Sequence, residues 1–250
     1  MSRLLARQGG ILHKLAVIGL CVSGPALAGD EPTQKIQISN TEHIDFPPNG
    51  ALRLTNSIGE LTVEGWDRSD VEITTIRSTK LAYDPQQREK ATHDLDKVRV
   101  AAERHGDELV ITTDFPRHRT FPPPSPLGSA ASFRLEYDIK VPRNARLMVD
   151  HDVGDVHVEN ITGDIHVTAH QGEIVLHLPE KGLYSIDAKS DFGNVISDFP
   201  GHQKRTAWRI GHQFTQNTPG ASQKLSMRIR YGDIIIFQIR RPPTPAPVTH

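Results

Sequence analysis

A chain of 250 residues with 29 Lys plus Arg against 30 Asp plus Glu is close to neutral, and nothing in that balance suggests nucleic-acid binding, which usually demands a basic face. It has one cysteine, so no disulfide framework holds the fold and stability has to come from a buried core. Aromatic residues make up only 6% of the chain, so that core is built from Val, Ile and Leu, the residues that suit stacked strands.

Residues 1–28 have the form of an export signal. Arg3, Arg7 and Lys14 precede the apolar run LAVIGLCV, and Ala26 and Ala28 stand at the small-residue positions that a signal peptidase reads. The run falls short of the roughly 18–20 apolar residues that a membrane span needs, and Leu20 is the wrong residue ahead of Cys21 for lipidation. Removal of 1–28 takes away those three cations and no acid. The mature chain then has 26 Lys plus Arg, 30 Asp plus Glu, a charge of −4 and no cysteine. The expected protein is exported to the periplasm or the cell surface, with no membrane span left and no nucleic-acid partner.

Residues 29–115 are expected to form the strand-rich first part of a β domain, with ALRLTNS, GELTVEGW, DVEITTIRST and DELVITTDF as alternating strands. One helix is expected near 85–98, with Asp84 at the N-cap and Pro85 at the first helical position. The segment 116–132, PRHRTFPPPSPLGSAAS, cannot donate a regular hydrogen-bond ladder and reads as an exposed loop. A polyproline recognition segment is the other reading of it.

Residues 133–240 begin with the clean alternating strand FRLEYDIKVP, and a repeat follows. Gly154, Gly163 and Gly172 lie nine residues apart, each followed by an acid and then V-x-V, I-x-V or I-x-L. Within each unit Val156, Val158, Ile165, Val167, Ile174 and Leu176 are expected inside, and Asp155, His157, Asp164, His166, Glu173 and Val175 outside. A five-residue strand and a four-residue turn make nine residues, and two such units make a coil of roughly 18 whose stacking buries a common interior. Gly154, Gly172 and Gly193 are expected to start strands of one sheet, and Gly163 and Gly182 strands of the other; SIGELTVEGW around Gly59 is an earlier copy. The strands KLSMRIRYG and DIIIFQIR close the domain, and the polar, proline-rich 241–250 reads as a disordered tail. The expected fold is all-β, a short parallel β-solenoid or β-roll behind a strand-rich first half with one short helix. Whether the two halves form one domain stays open.

The G-[DE]-[VI]-x-[VL] units behind a signal peptide, with the strand-rich first half, resemble the DUF4097 family of bacterial adhesin-like domains over roughly residues 50–240, most clearly at 151–198. The resemblance implies a β-solenoid at the cell envelope and brings no catalytic residues.

No nucleophile elbow, H-E-x-x-H, P-loop or G-x-G-x-x-G occurs. Paired acids could serve a glycan-active enzyme on a β-helix scaffold, but Asp150, Asp152, Asp155 and Asp164 read more simply as a solvated face, and Trp66 and Trp208 are scattered. The calcium-binding nonapeptide needs several glycines per turn, and each repeat here has one. The expected function is therefore a non-catalytic structural or adhesin-like binding module, with an envelope protein or a glycan as partner and no cofactor. An envelope stress or sensory component and a glycan-active enzyme are the alternatives. Histidine suggests one further site. If three coils stack at one corner, His151, Asp152, His170 and Asp191 come within a strand spacing or two, a set able to hold zinc or to remain merely solvated. The two-unit coil also sets His157 beside Val175 and His166 beside Ser185.

Overall fold

In the computed structural model, residues 35–80, 82, 84–114, 133–206 and 210–239 are described. The expected signal at 1–28, the proline-rich loop at 116–132 and the tail at 241–250 lie outside the described residues. Period-two alternation has become strand nearly throughout. The first half holds β1 (Gln37–Asp45), β2 (Ala51–Ile58), β3 (Glu60–Trp66), β4 (Asp70–Thr79), the helix α1 (Pro85–Asp96), β5 (Arg99–His105) and β6 (Glu108–Asp114). The second holds β7 (Phe133–Pro142), β8 (Arg146–Val153), β9 (Val156–Glu159), β10 (Ile165–Pro179), β11 (Tyr184–Phe192), β12 (Val195–Ser197), β13 (His202–Thr206), β14 (Gly211–Asn217) and β15 (Gln223–Ile239). The helix starts as its residues dictate, with the Asp84 carboxylate accepting from the Gln87 N–H at 2.9 Å. It buries Ala91 and Leu95, and Arg77 of β4 donates to the Leu95 and Val98 carbonyls at its end.

Five two-legged levels make up the body, each turning at one glycine. They are β2 with β3 at Gly59, β8 with β9 at Gly154, β10 at Gly172, β15 at Gly232, and β11 with β12 at Gly193. First legs pair in parallel in the order β2, β8, β10, β15, β11, and second legs in the order β3, β9, β10, β15, β12. Between the second and third levels the offset is 18 residues, with Ile165 beside Leu147 and Ile174 beside Val156.

The levels do not follow the chain. After β10 the chain skips a level to lay down β11 and β12, makes the antiparallel β13–β14 pair, and only then returns through β15 into the gap. Successive coils are therefore not all neighbours, as a plain solenoid requires. Gly232 stands between Gly172 and Gly193, His166 faces Ser226 rather than Ser185, and Gly182 packs against Tyr184 of its own turn instead of stacking on Gly163. His157 does lie beside Val175. The segments KLSMRIRYG and DIIIFQIR, read as two strands, are one strand bent at Gly232.

The corner at Gly172 is a bend, not a four-residue turn: strand pairing continues straight through it. A Cβ there would sit 1.9 Å from the Gly154 carbonyl oxygen, and one at Gly232 would sit 1.7 Å from that of Gly172. The opposite corner is a true turn, in which Asn160 takes the positive φ of 59° and the Thr162 N–H reaches the Arg143 carbonyl.

Between the legs lies one core that joins both halves of the chain, from Leu52, Leu54, Leu61 and Val63 through Ile165, Val167, Ile174 and Leu176 to Ile234 and Ile236. At its early end β6 and β7 form a further level, and the buried Tyr137 hydroxyl meets the Thr113 hydroxyl across it. Burial pushes that phenol up to about 12. Of the twelve positions assigned inside or outside in the repeat, Val175 departs: it faces outward, yet with His157 and Ile235 on either side it is 5% exposed.

The corner yields a test. Gly106 also has a positive φ, 66°, but a Cβ there meets nothing within 4 Å. Gly106→Ala should cost about 1 kcal/mol of backbone strain, whereas Gly172→Ala should cost about 4 kcal/mol or more, because backbone must move. Thermal melts of the two variants measure the difference, and similar losses would rule out the close approach as the controlling constraint.

Candidate functional site

The glycine corner carries two parallel rows of outward side chains. Immediately before the glycines stand Ile58, Val153, Gln171, Tyr231 and Phe192, side by side in the ladder register. Three of them are well exposed: Val153 at 48%, Tyr231 at 38% and Phe192 at 40%. Phe192 and Tyr231 stack at 5.0 Å, His170 meets Tyr231 edge-on at 5.6 Å, and the Arg230 guanidinium lies 5.3 Å from the Tyr231 ring. Single exposed apolar side chains are ordinary on any surface; here Tyr231 and Phe192 are adjacent, and Val153 lies one level beyond Gln171.

Immediately after the glycines stand Glu60, Asp155, Glu173, Asp233 and Asn194. The acid that follows each repeat glycine, read from sequence as merely solvated, also joins levels. Asp155 accepts from the Glu173 N–H at 2.9 Å, Asp233 from the Asn194 N–H at 2.7 Å and, at the other corner, Asp164 from the Lys224 N–H at 2.8 Å. A short acid directly after the bend is placed to cap the neighbouring strand, which explains the G-D and G-E pairs.

Around the corner, the outer side of the second legs adds Ile196 at 51% and Phe237 at 40% exposure, beside Ile235 and the covered Val175. Phe237 stacks on His177 at 5.4 Å. Phe192, Tyr231, Ile196 and Phe237 thus gather at the corner and the face beside it, while Leu183 stands exposed just ahead of β11 and Ile210 just ahead of β14. The outer side of the first legs is mostly polar, with an open cleft of about 250 Å³ lined by Arg53, Leu54, Met148, Val149, Asp150, His166 and Thr168. Its Arg53 is already paired with Glu108 at 2.7 Å.

The four expected metal ligands do not converge. His151 points into the core at 1% exposure, and its Nδ1 lies 2.8 Å from the buried Ser57 hydroxyl. Strand alternation puts Asp152 and His170 outside, β15 sets Arg230 between His170 and Asp191, and Asp191 pairs with Lys189 at 3.1 Å. Among the described residues no group of three or more His, Cys, Asp or Glu could hold a metal ion. Ser57 and His151 resemble a nucleophile with its base only in residue type, because both lie inside the core where no substrate reaches.

Sequence reading missed Phe192, Tyr231, Ile196 and Phe237. A signal was present: an aromatic residue directly precedes both late corner glycines, in DFGNVIS and RYGDIII. No helix among the described residues is long and apolar enough to cross a membrane.

No family model matches the chain, and no curated protein does. Among solved structures, it is similar to a candidate cell adhesion protein from Clostridium sporogenes, at 15% identity over 80% of this chain and 100% of that one, with a TM-score of 0.42. It is also similar to a candidate adhesin from Bacteroides fragilis, at 10% identity over 80% and 97% of the two chains with a TM-score of 0.28. A third, from Parabacteroides merdae, has 8% identity over 81% and 92% with a TM-score of 0.23. At these scores the likeness assigns neither a family nor a function.

Burial holds the His151 imidazole below its ordinary pKa. The folded protein therefore resists a proton that the unfolded chain takes up below about pH 6.5. The stability involved is present above that pH and lost as pH falls through it. Denaturation at about pH 8 and about pH 5.5 should give a lower midpoint in acid, and His151→Gln should flatten the difference. An undiminished difference in the variant would exclude His151 as its source.

Proposed function

We propose that this chain is an exported, non-catalytic binding module of the cell envelope, an adhesin-like domain on the solenoid plan of the DUF4097 family. Here that plan is modified by the late return of β15 into the middle of the stack. The observation that carries the reading is the gathering of Phe192, Tyr231, Ile196 and Phe237 on the corner and one adjoining face, while the opposite outer face stays polar. Such a surface suits a macromolecular partner: it is extended and held by a rigid stack. The form of residues 1–28 and the cysteine-free remainder of the chain support export.

Beads coated with the full chain should capture isolated cell envelopes. Ile196→Lys combined with Phe237→Ser should reduce capture about tenfold, roughly 1.4 kcal/mol, with an unchanged melting temperature. His166→Ser, on the polar face, should leave capture as it was. Equal capture by all three proteins would refute the assignment of this surface.

A further inference from the structure

The glycine corner has a charge and a length that bear on what it can hold. Glu60, Asp155, Glu173 and Asp233 follow one another level by level, so their carboxylates are spaced at about the 4.8 Å of neighbouring strands. None of the four forms an ion pair with a described residue. Asp155 and Asp233 each use one oxygen on a backbone N–H, which leaves the second oxygen of each and the carboxylates of Glu60 and Glu173 facing solvent. Like charges directly opposite one another on neighbouring strands repel. The corner as it stands therefore holds a column of repelling anions close beside the exposed Val153, Tyr231 and Phe192, with Gln171 between the first two. The tolerance of that aromatic row for a cation is visible within the chain, where the Arg230 guanidinium lies over Tyr231.

We propose that this corner is the docking site for a basic polypeptide segment in which Lys or Arg side chains are interspersed with apolar ones. The segment lies along the stack with its cations on the acid row and its apolar groups on Val153, Tyr231 and Phe192. This rests on the binding-surface reading and adds the chemistry of the partner. A purely apolar partner would leave the anions beside a desolvated contact without compensation, and an anionic partner would be repelled. A basic, apolar segment matches both rows at once, and its cations relieve the repulsion between the stacked carboxylates.

The test uses the full chain and three labelled peptides of about twelve residues, long enough when extended to span the five levels. One alternates Lys with Val, one Glu with Val and one Lys with Ser, and binding is read by fluorescence anisotropy. The Lys–Val peptide should bind at least about tenfold more tightly than either of the others. Raising salt from about 50 to about 500 mM should weaken it by a similar factor. Glu173→Gln with Asp233→Asn should weaken it about tenfold, as should Phe192→Ala; the amide introduced by Asp233→Asn keeps an oxygen for the Asn194 N–H. The salt response of the unaltered protein stands even where a variant fails to fold. Equal binding of the Glu–Val peptide would overturn the charge assignment and leave the binding-surface reading intact. Equal binding of the Lys–Ser peptide would reduce the corner to unspecific charge attraction and overturn the proposal. Binding of none of the three would overturn it as well, while envelope capture would still judge the broader reading.

Discussion

Backbone approaches backbone across the glycine corner more closely than any side chain allows, and the remaining architecture depends on that approach. Gly59, Gly154, Gly172, Gly232 and Gly193 each have a positive φ, and each lies where a Cβ would collide with a carbonyl of the adjacent level. Because all five bend at the same place, their two legs stay in register on both sides, and the interior between the legs runs unbroken from one end of the stack to the other. A level with any other residue at the bend would be displaced along the stack and would lose its pairing on both faces.

The bend also decides what the surface presents. Residues directly before and after the corner find little room inside, since the interior there is filled by Ser57, His151, Ala169, Ile229 and Ser190, and of those flanking residues only Ile58 packs against the core. Whatever the sequence places at those positions becomes a row facing solvent: apolar and aromatic on one side of the glycines, acidic on the other. Three of the free edges are handled separately. The edge strands β5 and β13 carry basic residues, and β12 is only three residues long, devices that discourage pairing with other sheets.

Much of this was legible in the sequence. Alternation located the strands of the stack but not β1, β5, β13 or β14, Asp84 and Pro85 located the helix, and the spacing of Gly154, Gly163 and Gly172 implied an 18-residue offset that holds between the second and third levels. The order of the levels was not legible, because period two states which way a side chain faces and carries nothing about which strand lies beside it. The expected neighbours of His166 and the grouping of His170 with Asp191 fail for that single reason: β15 enters between them, bringing Ser226 and Arg230. His151 was placed at the corner by counting residues, but it continues the inward alternation of Leu147 and Val149 along β8, and Ser57 of β2 meets it inside. The exposed row at the corner went unread because it is assembled from residues as distant as Val153 and Tyr231, which only the ladder brings together, on either side of Gln171.

The late return of β15 has a kinetic meaning. Its first leg separates β10 from β11 and its second leg separates β10 from β12, so the centre of the stack is missing until residues 223–239 are available. A chain made in order can assemble its early levels but cannot close them against the late ones, and the contacts that complete it join segments far apart in sequence, such as Leu61 through Val156 and Ile174 to Ile234. Topologies dominated by such distant pairings fold slowly. A native state whose middle is supplied last leaves the chain open until its final strand is in place.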